Sequence, residues 1–111
     1  MKFYNILQDH TEADPDKPAV IDGDTILTYR QLLENVEAFA GGLTALLLTP
    51  QSKLGILCFN QKENLIALLG GLLSCVPVVP LNPLLTPEEL SFIVKDAGID
   101  ILLINGMLIK P

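Results

Sequence analysis

Side chains able to act as nucleophiles, bases or metal ligands are few in this chain and poorly spaced for one another. There is one histidine, His10, and two cysteines, Cys58 and Cys75, which lie 17 positions apart in or at the end of apolar runs. A metal centre needs such ligands clustered, so no ligand set is present, and thiols placed this way read as buried free cysteines rather than a disulfide framework. Ser52, Ser74 and Ser91 each carry a hydroxyl, but none has the strand-turn-helix glycine context of a nucleophile elbow. His10, near the start of the chain and read as an exposed helix-end residue, is not placed to serve them as a base. Asp22 and Asp24 flank Gly23 in a turn between two apolar runs, whereas a phosphoacceptor site needs its acids at the carboxyl end of a strand. A phosphate cradle needs a glycine-rich loop between strand and helix. The pairs Gly41-Gly42 and Gly70-Gly71 fall instead inside predicted helices, where the expected reason for them is close helix-to-sheet packing. Residue chemistry therefore assigns no catalytic, cofactor-binding or metal-ligating residue.

The elements that would position any site follow from periodicity. Phe3, Ile6 and Leu7 repeat at i, i+3, i+4 and predict a short amphipathic helix over residues 3–11, ended by the Pro15 and Pro18 region. Residues 19–21 and 25–29 predict two antiparallel strands around Asp22-Gly23-Asp24. Thr28 then caps a predicted helix over residues 29–48 with a broad apolar face, and residues 53–59 read as a fully buried strand. Residues 64–75 are apolar all round, which predicts a helix sandwiched against the sheet, followed by a strand over 76–81. The next helix start is explicit: Thr86 as N-cap, Pro87 at the first position and Glu89 three residues on form a capping box. That helix is expected to run to Ala97 with Gly98 as its terminating glycine, before a last strand over 100–104 and Asn105-Gly106.

Three strand-helix alternations predict an open, mostly parallel α/β sheet with helices on both faces, preceded by a short antiparallel hairpin. In such sheets ligands bind beyond the carboxyl ends of the strands. Those ends carry Asn60, Asn82 and Asn105, and asparagine is also the ordinary turn and cap residue, so these three read first as turn chemistry. The 111 residues suffice for one domain, half of them are hydrophobic and the net charge is −6 with basic residues scattered singly. This excludes a disordered chain and gives no footprint for nucleic acid. The start of the chain lacks a secretory pattern, which sets a cytoplasmic expectation. The longest apolar stretch, 65–81, is interrupted by Gly70, Gly71, Ser74 and Pro77 and falls short of the ~20 residues a membrane span needs.

Four stretches carry a family resemblance. Pro15-Asp16-Lys17-Pro18-Ala19-Val20, Leu27-Thr28-Tyr29-Arg30-Gln31-Leu32 and Lys53-Leu54-Gly55-Ile56-Leu57-Cys58-Phe59-Asn60 occur in the order, and with the element types, of the opening of the adenylate-forming (AMP-forming) ligases. Val78-Val79-Pro80-Leu81-Asn82-Pro83 followed by Thr86-Pro87-Glu88-Glu89-Leu90 is the most specific stretch. The chain thus resembles the N-terminal segment of the superfamily of acyl-CoA synthetases, coumarate-CoA ligases and luciferases. It departs at Gln51-Ser52, where the family has Gly-Asp, at Phe59, where it has Pro, and at Cys75-Val76, where small Gly-Ala is usual.

The resemblance implies a single α/β subdomain over residues 1–111, the first part of the large domain of a fatty or aryl acid ligase that forms an acyl-AMP. It also implies ATP, magnesium and CoA for the full-length parent. The phosphate loop, acidic motif, hinge and catalytic lysine of the family lie beyond the segment matched here, so the resemblance carries no catalytic role onto any residue of this chain. The expected partner is the remainder of the parent domain, or another copy through exposed apolar surface. The alternative is a free-standing, non-enzymatic interaction module derived from such an enzyme; a flavodoxin-like nucleotide binder rests only on the asparagine-tipped rim.

Overall fold

The computed structural model describes residues 2–46, 51–57, 61–104 and 107–109. Helix α1 (Lys2–Ala13) leads into the hairpin β1 (Pro18–Asp22) and β2 (Thr25–Thr28), and α2 (Tyr29–Ala45) follows. Then come β3 (Leu54–Leu57), α3 (Lys62–Ser74), β4 (Val78–Pro80), α4 (Pro87–Ala97), β5 (Ile101–Ile104) and β6 (Met107–Ile109). The hairpin is antiparallel, with Ile21 opposite Ile26 and Asp22 opposite Thr25. Gly23 takes a positive φ of 59° at the first central position of the two-residue turn, a conformation open to glycine at little cost.

Local chemistry starts the helices where the sequence places them. Thr28 accepts a hydrogen bond from the Gln31 N–H at 3.2 Å while its own N–H donates to Gln31 Oε1 at 3.0 Å, so α2 has a full capping box. Thr86 and Glu89 do the same for α4, at 3.2 and 3.1 Å. Gly98 ends α4 in the left-handed region with φ 70°.

The main sheet has the order β4-β3-β5-β6. β3 runs parallel to both β4 and β5, and β6 returns antiparallel on β5. Because the chain steps from β3 outward to β4 and then back across to β5, right-handed crossovers must put α3 and α4 on opposite faces. The packing follows the strand alternation. Leu54, Ile56, Ile101 and Leu103 join Leu43 of α2 and Ala67 of α3 in one core. Leu102, Ile99 and Leu81 pack with Leu90, Ile93 and Val94 of α4 in another. A third cluster seats Leu7 of α1 and the hairpin against Leu32, Val36 and Leu69. This is the open α/β sheet with covered faces and an N-terminal hairpin that the alternation predicts.

Several local expectations need correction. Cys75 is exposed, not buried: it is the C-cap residue of α3 and holds a left-handed φ of 60°. Gly41 and Gly42 do not serve packing, since a Cβ on either would meet open space. Gly70 and Gly71 do serve it, but only Gly71 faces the sheet, where a Cβ would collide with Val78; a Cβ on Gly70 would lie 2.6 Å from Phe39 of α2. Helix α3 is not enclosed all round, because Leu68 and Leu72 are 40% and 43% exposed. Strand β6 extends the sheet beyond the last strand expected from the sequence, which ends at residue 104. Helix α2 ends at Ala45 with Leu46 as its C-cap, and Cys58, Asn60, Asn105 and residues 47–48 of the helix expected over 29–48 lie outside the described residues.

Candidate functional site

The carboxyl edge of the parallel strands is where an open α/β sheet receives a ligand, because neighbouring strands there send their chains to opposite faces. β3 and β4 are such a pair: β3 continues toward α3 on one face and β4 toward α4 on the other. Between them, Ile56, Asn64, Leu68, Pro80 and Leu81 line a cavity of about 130 Å³. Leu81 N–H donates to the Ile56 carbonyl at 2.8 Å and closes the β3–β4 ladder at this rim. The lining is almost wholly apolar, so the cavity can accept a small apolar group and offers no nucleophile, base or acid to act on it.

The N-terminus of α3 opens onto the same edge and is the place where an anion would be drawn by free N–H groups and the helix dipole. It already has a negative group. Asp22 reaches across from the hairpin, and its Oδ2 accepts the Lys62 N–H at 3.0 Å. Gln61, the N-cap residue, makes no side-chain cap bond, so the cap comes from 40 residues away. Lys62 Nζ pairs with Glu63 Oε1 at 2.7 Å. That hydrogen bond holds the Glu63 carboxyl below its ordinary range and pushes the Lys62 ammonium above its own. Spacing gave no signal of Asp22's role, because nothing local links residue 22 to residue 62. The Gln31 half of the α2 capping box was readable as Thr-x-x-Gln.

The other residues weighed for chemistry are dispersed. Asn82 Oδ1 accepts the Leu84 N–H at 2.9 Å, an Asx turn that occupies its side chain with structure. His10 is exposed in the last turn of α1 and stacks on Tyr29, ring centroids 5.4 Å apart. Ser74 donates back to the Gly70 carbonyl at 2.9 Å within α3, and Ser91 stands on the exposed side of α4. Among the described residues no group of three or more His, Cys, Asp or Glu side chains could hold a metal ion. The α3 terminus itself is occupied by the Asp22 carboxylate.

Residues 7–110 match the family of AMP-binding enzymes. The chain belongs to that family. Bacitracin synthase 3 of Bacillus licheniformis is 33% identical over 105 residues, which are 95% of this AMP-binding family chain and 2% of that protein. Bacitracin synthase 2 of the same organism is 30% identical over 107 residues, 96% of this chain and 4% of that protein. Among solved structures, the unliganded O-succinylbenzoate coenzyme A synthetase of Bacillus subtilis superposes with a TM-score of 0.79 at 28% identity, covering 88% of this chain and 22% of that one. VinN, solved with 3-methylaspartate, gives a TM-score of 0.83 at 25% identity over 89% of this chain and 28% of that one. The chain therefore spans a small part of each relative. The described residues also contain no helix long and apolar enough to cross a membrane.

Proposed function

We propose that this AMP-binding family chain is the N-terminal structural segment of a cytoplasmic, ATP-dependent carboxylic acid ligase that forms an acyl-AMP and then a thioester, and that it is not catalytic by itself. The observation that carries the proposal is the match over residues 7–110 by a chain that spans only 22% of the O-succinylbenzoate coenzyme A synthetase it superposes on. ATP, magnesium and CoA belong to the remainder of that ligase. The segment supplies α3, the sheet and the apolar rim between β3 and β4, against which downstream segments assemble.

Fatty and aryl acids are the first substrates to try. An amino acid is the second reading, supported by the 3-methylaspartate complex of VinN.

The test begins with the mass of the native protein in cell extract, detected with an antibody against this chain. A species several-fold heavier than 12.1 kDa that exchanges pyrophosphate into ATP in the presence of one of these acids supports the proposal. A species of 12.1 kDa overturns it in favour of the free-standing interaction module. Calorimetry of the 111-residue chain with ATP, AMP or FMN is expected to give no binding heat, and micromolar binding of any of them would overturn the non-catalytic assignment.

A further inference from the structure

The molecule is a slab, 46 × 31 × 20 Å, with a radius of gyration of 14.6 Å, where a compact chain of this length has about 13 Å. Its accessible surface of 6894 Å² is roughly 900 Å² more than a compact monomer of this mass exposes. One partner in a standard protein interface loses about 800 Å², so the surplus is the size of one such contact.

Helix α4 is the one α-helix among the described residues with no buried residue. Its Leu90, Ile93, Val94 and Ala97 are only partly buried. Its outer side carries Glu88, Ser91, Phe92 and Lys95, all exposed, with Phe92 at 69%. These positions recur at i, i+3, i+4 and i+7 and make one stripe. A groove of about 580 Å³ borders the stripe, formed by Leu90, Ser91, Val94 and Lys95 of α4 with Leu102 of β5.

We propose that this stripe binds a second copy of the chain, α4 against α4 in antiparallel fashion, about a two-fold axis that passes between Ser91 and Phe92. A two-fold contact is isologous, so each pairing occurs twice. Glu88 of one copy then opposes Lys95 of the other at both ends of the contact. At its centre each Phe92 lies over the other copy's Ser91, the small residue at the groove, and the ring gains the apolar flank of Leu90 and Val94. A parallel arrangement would set Glu88 against Glu88 and Lys95 against Lys95. Ile21 and Ile26, also exposed, lie on a hairpin that holds Asp22 and Asp24 and no cation, so a second copy docked there meets like charge. The proposal does not depend on whether the chain belongs to a longer ligase.

Sedimentation equilibrium of the 111-residue chain tests it. The wild type is expected to dimerise reversibly, and Phe92→Ser to weaken the dimer ~100-fold, as loss of a central aromatic anchor does. Glu88→Lys and Lys95→Glu should each weaken it ~10-fold, because either change turns both cross pairs into like charges. An equimolar mixture of those two variants should dimerise as tightly as wild type, since every cross pair in the mixed dimer is opposite again. All three positions are exposed, and unchanged far-UV circular dichroism verifies that the variants fold. A monomer at every concentration, a dimer indifferent to Phe92→Ser, or a mixture no tighter than the single variants would each overturn the proposal.

Discussion

On one face of the sheet α2 and α3 enclose Leu43 and Leu54 completely, and Gly70 and Gly71 let backbone and ring come together without a Cβ between them. On the other face α4 lies across Leu102 and Ile99 with none of its own side chains buried. Both helices belong to crossovers of the same parallel sheet, so topology does not separate them. What differs is the surrounding material: α3 has α2 and the hairpin beside it, whereas among the described residues α4 has no second helix at its flank. Core density here is set by how many layers meet over a strand, and the same β-α unit can be interior on one face and boundary on the other.

The largest expected effect sets the two faces directly against each other. Leu43→Ala, at a fully buried position, should cost ~3 kcal/mol or more through lost transfer energy and a residual cavity. Val94→Ala on α4 should cost ~1 kcal/mol, both read by urea denaturation, and equal costs would break the comparison. Next come the glycines. Gly71→Ala drives a methyl into Val78 and should destabilise by ~1–3 kcal/mol. Gly42→Ala meets open space and should stabilise α2 by ~0.5–1 kcal/mol.

The two ends of α3 give effects of intermediate size. Cys75→Gly relieves a left-handed residue and should add ~1 kcal/mol. Asp22→Ala removes the long-range cap and should cost ~1 kcal/mol. If Asp22→Ala were neutral in the same denaturation series, the hairpin would not be tied to α3 as its geometry indicates.

The smallest effect is a pH dependence on the α4 face. The Thr86 backbone hydrogen bond to Glu89 lowers that carboxyl's pKa from its ordinary 4.5. A lowered folded pKa gives stability that is present above the unfolded value and is lost as pH falls through the folded one. Thermal unfolding followed from neutral to acid pH should therefore fall less in Glu89→Gln, whose amide oxygen can still accept the Thr86 N–H, than in wild type. Identical profiles would remove the capping box as an acid-sensitive element of this face.

What is legible in the sequence is what is local. Thr86, Pro87, Glu89 and Gly98 define α4 almost to the residue, and Asp22-Gly23-Asp24 defines the hairpin, because these motifs act over three or four residues of chain. Strand β6 is a local miss, since Asn-Gly between Leu103-Ile104 and the apolar triplet at 107–109 is itself a hairpin signal. The edge cavity between Ile56 and Pro80 is legible in the sequence only as the end of two strands.

The sequence by itself determined the order of elements from α1 to β5, their start and stop signals, and the alternation that makes β3, β4 and β5 parallel. Each of these depends on near neighbours or on periodicity. Only the tertiary structure decided that Asp22 caps α3, that Gly71 meets Val78 while Gly42 meets nothing, and that Cys75 faces solvent. Two glycine pairs are alike as letters, and a cysteine beside an apolar run looks buried. Which of them touches anything depends on the placement of elements tens of residues apart, and composition carries no record of that distance.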